Sequence, residues 1–175
     1  GYYVFDKNVN RTQQVMEEYD PDSAFQLFHS AGTELHELKD KSEYLDAVVT
    51  DPPYFLKAEK YSSDGRDLSS MSHEDYMDRI SNCFKQLYRL IKTSKFDEKI
   101  FYPVIFKVSH QRRGTTGIVD MDMEFQRVAH DCGFVTWDKL FNKLHSPWGT
   151  VNWERNYMNK YVQKNYEVNL TFIKF

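Results

Sequence analysis

The chain has 175 residues, a length that fits one domain, and its 41% hydrophobic and 28% charged residues allow a packed core and exclude a disordered chain. The formal net charge is −3, which gives no global sign of a polyanion-binding protein, and no apolar run nears the roughly 18 residues of a membrane span. Two cysteines, Cys83 and Cys132, exclude a disulfide framework or a cysteine-rich zinc site. Each falls on the apolar side of a predicted helix, where a thiol is buried, and the pair points to a reducing, cytoplasmic setting. The charge is unevenly spread, with 7 Lys/Arg against 16 Asp/Glu in residues 1–75 and 16 against 10 in residues 76–175. That split fits one face turned to a cationic ligand and another to phosphates, but charge alone favours ordinary solvated surface.

In chain order, Val4 and Phe5 end a short strand too brief for a signal peptide, and residues 8–18 read as a helix with Val15 and Met16 inward. Pro21 stops it. Residues 24–28 form a second strand, followed by the small-residue turn Ser30-Ala31-Gly32. Residues 45–50 form a third, ending in the β-branched Val48-Val49-Thr50 expected of a buried parallel strand. Residues 57–71, rich in Ser, Asp and Gly, predict a mobile loop. Ser72 caps the next helix, with Asp75 at its third position and Tyr76, Ile80, Phe84, Leu87 and Ile91 at helical spacing. Residues 100–108 are the fourth strand. A basic loop, 111–117, leads to a helix striped by Met121, Phe125, Val128, Ala129 and Cys132, which Gly133 stops. Residues 134–141 read as a fifth strand, 145–164 as an irregular aromatic and basic stretch, and 166–175 as a closing strand.

Strands alternating with helices predict an α/β fold built on a doubly wound, mostly parallel sheet. Ligands in such sheets bind beyond the carboxyl ends of the strands. The residues at those ends are Asp6, Ser30 to Gly32, Asp51 to Phe55, and the basic stretch holding Arg112 and Arg113.

Asp51-Pro52-Pro53-Tyr54 carries the sharpest chemical signal. Each proline lacks an N–H and holds the preceding residue extended, so the corner after the third strand is stiff. A stiff corner can present the Asp51 carboxylate beside the Pro52 carbonyl. Together they can accept both hydrogens of an exocyclic amino group, which turns the nitrogen lone pair towards an electrophile. Tyr54 can lie flat on the base. A structural Asp-Pro-Pro turn is the bland alternative.

The four residues resemble the catalytic motif of the DNA amino-methyltransferases, which methylate adenine N6 or cytosine N4. The resemblance implies a Rossmann-like sheet of the class I methyltransferase type, S-adenosylmethionine as methyl donor, and double-stranded DNA whose target base is flipped out of the stack. It implies that Asp51 and the Pro52 carbonyl bind the amino group, Pro53 shapes the turn and Tyr54 stacks, with Phe55 beside it. Asp51 would also border the donor. Asp at the first position leans towards adenine, because the cytosine enzymes more often carry Ser. Residues 1–8, Gly-Tyr-Tyr-Val-Phe-Asp-Lys-Asn, are similar to the motif whose acid binds the donor's ribose hydroxyls, which implies that role for Asp6; a helix cap is its other reading. The next motif aligns at Ser30, Ala31 and Gly32, with Ala31 where the family has an acid, so backbone groups there would serve instead.

For DNA contact, the candidates are the loops 57–71 and 142–165, with Arg112 and Arg113 for phosphates and Trp148 and Arg155 among interleaved aromatics and cations. A packed or solvated surface is the alternative for each. The histidines lack metal-ligand spacing, so no metal is expected. The family's Phe-x-Gly-x-Gly cofactor loop does not occur in the sequence, and the chain starts with Gly1 rather than Met. The whole of 1–175 thus reads as a methyltransferase catalytic domain lacking its first strand and glycine-rich loop, which an upstream segment or a partner chain would supply. Cytosine N4 or an RNA amino group would use the same chemistry. A catalytically silent methyltransferase-like subunit that binds nucleic acid is the alternative from another class.

Overall fold

A computed structural model describes residues 2–5, 13–14, 17–18, 25–28, 35–53, 68–109, 112–113, 118–143 and 166–175. The chain divides into two compact units, Gly1–Lys41 and Ser42–Phe175.

In the first unit, β1 (Tyr2–Phe5) pairs in parallel with β2 (Phe25–Phe28), in register from Tyr2↔Phe25 to Phe5↔Phe28. A parallel pair needs a crossover of about a dozen residues or more, and residues 6–24 provide it. Gln13, Gln14, Glu17 and Glu18 within that crossover are helical, and Gln13 Nε2 donates to Glu17 Oε1 at 2.9 Å. A turn of 3-10 helix, His36–Leu38, follows with Leu35 and Leu38 buried.

The second unit is a four-stranded sheet in the order β3 (Val48–Thr50), β4 (Val104–Ser109), β8 (Tyr166–Ile173), β7 (Val135–Lys143), with two helices packed on the face that carries Phe106. The third strand, β3 (Val48–Thr50), is shorter than the six residues expected. The amides of Tyr44 and Leu45 donate to the Leu90 carbonyl at 2.7 and 2.9 Å, and Lys92 N–H donates back to the Leu45 carbonyl. That backbone is spent on the segment after the first helix, so the ladder to the next strand starts at Val48.

The first helix, α1 (His73–Leu90), starts as read. Ser72 is its N-cap and accepts from the Asp75 amide at 3.1 Å. Tyr76, Met77, Ile80, Cys83, Phe84, Leu87 and Leu90 form its buried stripe. The strand β4 (Val104–Ser109) begins four residues later than expected. Ile100 instead closes a turn with Lys95, and Pro103 has no N–H to give the ladder. In the basic stretch read as loop, β5 (Arg112–Arg113) pairs antiparallel with β6 (Ile118–Val119).

The second helix, α2 (Met121–Asp131), ends as predicted. The Phe134 amide bonds the Ala129 carbonyl and the Gly133 amide that of His130, a Schellman ending that needs the left-handed φ of +97° at Gly133. A Cβ there would also lie 3.0 Å from the Tyr88 ring.

The long pair β7 (Val135–Lys143) and β8 (Tyr166–Ile173) completes the sheet. β3 runs parallel to β4, while β8 is antiparallel to both β4 and β7. The closing strand thus sits inside the sheet, between β4 and the edge strand β7. The parallel expectation holds for β3, β4 and β7, and β8 makes the sheet mixed.

Alternation divides the sheet into two chemical faces. Val104, Phe106 and Val108 pair with Phe172, Leu170 and Val168, and all six are buried on the helix side. Phe84 of α1 is their hub. It stacks on Phe106 at 4.6 Å and meets Phe172, Phe134 and Phe125 edge-on at 5.3, 5.9 and 6.2 Å. The opposite face carries Val49, 77% exposed, and the polar residues Lys107, Glu167, Asn169 and Thr171.

Both thiols are free. Burial pushes the Cys83 thiol up to about 12. Cys132 is only half-buried, because it lies at the cap beyond α2 rather than on its inner stripe. The stripe also hid a charge: Asp122, in the first turn of α2, is buried and bonds the Lys139 ammonium.

Truncating Phe84 removes one partner from four ring contacts at once. Phe84→Ala should lower unfolding free energy by about 3–5 kcal/mol, measured as a drop in the urea midpoint at an unchanged slope.

Candidate active site

The site grows from the β3–β4 register. Val48, Val49 and Thr50 lie opposite Val104, Ile105 and Phe106. Carried one residue further, that register brings Asp51 beside Lys107. The two-residue period puts both on the face away from the helices. On the other side of β4, Lys107 is paired with Asn169 of β8. Glu167 lies two residues from Asn169 on that same face, at the diagonal position that long side chains can span.

Three charges therefore converge at the carboxyl end of β3. Lys107 Nζ lies 3.4 Å from Asp51 Oδ2 and 2.9 Å from Glu167 Oε2. The Asp51 side chain is 50% exposed, Lys107 40% and Glu167 14%, so the cluster opens from a partly buried root to a solvated carboxylate. The Lys107 ammonium is held above its ordinary pKa, first by its bond to Glu167, with partial burial opposing and the Asp51 charge adding to the rise. A raised lysine pKa means that the pairing is complete at lower pH and is lost only as pH climbs beyond the usual lysine range.

The proline corner is anchored from the other face. Tyr76 is buried in the first turn of α1, and its hydroxyl donates to the Pro53 carbonyl at 3.1 Å. The Ser72 cap sets where α1 begins, and hence where Tyr76 points. Pro52 and Pro53 are half-buried. The anchored carbonyl is the one after Pro52, so the carbonyl assigned to an amino group on sequence grounds is not the one that α1 occupies.

Of the other predicted residues, Asp6, Ser30, Ala31, Gly32, Tyr54, Phe55, Trp148 and Arg155 lie outside the described residues. Arg112 and Arg113 pair through the backbone with Val119 and Ile118. Of the loop 57–71, residues 57–67 lie outside the described residues, and Leu68–Ser70 form a 3-10 turn with Ser69 buried. Residues 142 and 143 continue β7, and 144–165 lie outside the described residues.

Lys107, Glu167 and Tyr76 were missed as site residues. Lys107 did carry a signal: it is the lone charge in Val104-Ile105-Phe106-Lys107-Val108, at an alternation position of an otherwise apolar strand. Among the described residues no group of His, Cys, Asp and Glu could hold a metal ion, and no helix is long and apolar enough to cross a membrane.

No family model matches the sequence, and no curated protein matches it significantly. Solved structures do match. One is TTHA0409 of Thermus thermophilus, a protein assigned as a DNA modification methylase and solved with S-adenosyl-L-methionine: TM-score 0.52 at 13% identity, covering 99% of this chain and 54% of that one. The PvuII DNA methyltransferase, cytosine-N4-specific, gives 0.54 at 15%, covering 77% and 44%. The [4+2]-cyclase SpnF gives 0.55 at 12%, covering 99% and 65%. The chain spans about half the length of the DNA methylases that it matches. It has the Rossmann-like fold of class I S-adenosylmethionine-dependent methyltransferases. The cyclase shows that this fold also carries other chemistry, so function has to be argued from the site.

Removing one oxygen tests the anchor. Tyr76→Phe keeps the ring packing and deletes the bond to Pro53, so it should cost about 1 kcal/mol of stability in urea unfolding. An unchanged midpoint would mean that the bond holds nothing.

Proposed function

We propose that this chain is the catalytic part of an S-adenosylmethionine-dependent DNA methyltransferase that modifies the exocyclic N6 of a flipped adenine. One observation carries the reading. A half-exposed carboxylate stands at the carboxyl end of a parallel strand, on a two-proline corner braced by Tyr76. In α/β sheets ligands bind at that end of the strands, and a braced corner holds its acceptors in place before a substrate arrives.

The Asp51 carboxylate and the Pro52 carbonyl accept the two amino hydrogens, and the nitrogen lone pair is then aimed away from them. Tyr54 stacks on the base and Phe55 extends that surface. S-adenosylmethionine supplies a sulfonium-bound methyl carbon. A C–N bond forms as the C–S bond breaks, its electron pair stays on the departing thioether, and the extra amino proton leaves to Asp51 or water. Asp6, Ser30, Ala31 and Gly32 are assigned to the donor, and Arg112, Arg113, Trp148 and Arg155 to DNA, on the family resemblance and on residue chemistry. A base in duplex DNA reaches such a corner only by leaving the stack.

The fold likeness to TTHA0409 and PvuII supports the class of reaction. Asp as the first residue of the motif supports adenine. The likeness to a cytosine-N4 enzyme supports a second reading, the same transfer to cytosine N4. Both use Asp51 in the same way.

Asp51→Ala in the intact protein should reduce methyl transfer from labelled S-adenosylmethionine to DNA by roughly a hundredfold or more. Asp51 is half exposed, so the urea midpoint should move by no more than about 0.5 kcal/mol equivalent. Turnover retained in a folded variant would refute the reading.

A further inference from the structure

We propose that Glu167, acting through Lys107, sets the charge that Asp51 presents to the amino nitrogen, which makes Lys107 and Glu167 positioning residues of the reaction. The proposal rests on the amino-methyltransferase reading of the site.

Charge is what the transfer has to manage. As the methyl group joins the nitrogen, positive charge grows there until a proton leaves. A carboxylate accepting the amino hydrogens stabilises that charge. An ammonium 3.4 Å from the same carboxylate works against it, because a lone Asp51–Lys107 pair sums to zero. Glu167 restores the balance. Its carboxylate is the closer partner of Lys107, at 2.9 Å against 3.4 Å, and it is the more buried of the two acids. Two of the three groups are carboxylates and one is an ammonium, and that ammonium lies nearer to Glu167 than to Asp51.

The geometry is set by the sheet. Lys107 and Glu167 lie on adjacent central strands, on one face and at a diagonal register position, and Asp51 follows the strand on the other side of Lys107. A single slip of register would send any one of them to the aromatic core. Stability alone gives little reason for the Asp51–Lys107 contact, since an ion pair between two half-exposed side chains contributes little. A tether is the better account: Lys107 fixes the carboxylate's orientation, and Glu167 keeps the cation from cancelling it.

The test is kinetic and uses the intact protein, with Asp51→Ala as reference. Glu167→Gln keeps the shape of the side chain and removes its charge. It should lower kcat on the order of tenfold with KM nearly unchanged, as expected for an interaction that matters when charge develops. Glu167→Asp should recover part of the loss. Because Glu167 acts through Lys107, Glu167→Gln should cost little more once Lys107→Met is present. An equal cost in both backgrounds, or an unchanged kcat in a folded Glu167→Gln protein, overturns the positioning role while loss of turnover in Asp51→Ala leaves the function reading standing. Turnover that survives in Asp51→Ala overturns both.

Discussion

The parallel pairing of β3 with β4 is the constraint on which the site depends. Thr50 lies opposite Phe106, and Phe106 is locked into the aromatic core by stacking on Phe84 at 4.6 Å. A side-chain period of two then fixes the face of every later residue on both strands. With Phe106 facing the helices, Lys107 must face away, and the residue that continues β3 beside it is Asp51. The charged cluster is in this sense a consequence of the hydrophobic core. Burial of rings on one face decides which carboxylate and which ammonium meet on the other.

The two faces also divide the energetic labour. Phe84, Phe106, Phe125, Phe134 and Phe172 supply apolar burial, which outweighs most surface terms in folding. Asp51 and Lys107 are half exposed, where an ion pair contributes little to stability, and Glu167 is the more buried partner at the root of the cluster. Tyr76 joins the two faces. Its ring is in the core beside Phe125, and its hydroxyl reaches the backbone of the proline corner. A helix chosen by its apolar stripe therefore also braces the corner that carries the carboxylate.

Much of this was legible in the residues. The Ser72 cap, the stripe from Tyr76 to Leu87 and the Gly133 stop all use local rules, and each is found in place. Strand ends were less legible because they depend on partners distant in sequence. Residues 45–47 look like strand, yet Leu45 is claimed by the chain beyond α1. Ile100 looks like strand, yet it closes a turn against Lys95. The Asp-Pro-Pro corner announced itself through backbone stiffness. Its charged neighbours did not, since Lys107 lies 56 residues beyond Asp51 and Glu167 further still, and only the sheet order brings them together. The antiparallel place of β8 inside the sheet was equally invisible to alternation, which fixes faces and says nothing of neighbours.

The central claim is that the corner after β3 grips an amino group. Its most direct test is the position of the methyl group itself. DNA incubated with the intact protein and S-adenosylmethionine should be digested to nucleosides and resolved by mass spectrometry against authentic standards. The account predicts N6-methyl-2′-deoxyadenosine, with N4-methyl-2′-deoxycytidine as the product of the same chemistry on the other base. A methyl group found on ring carbon C5 of cytosine would contradict it, because that atom offers no amino hydrogens for Asp51 to hold.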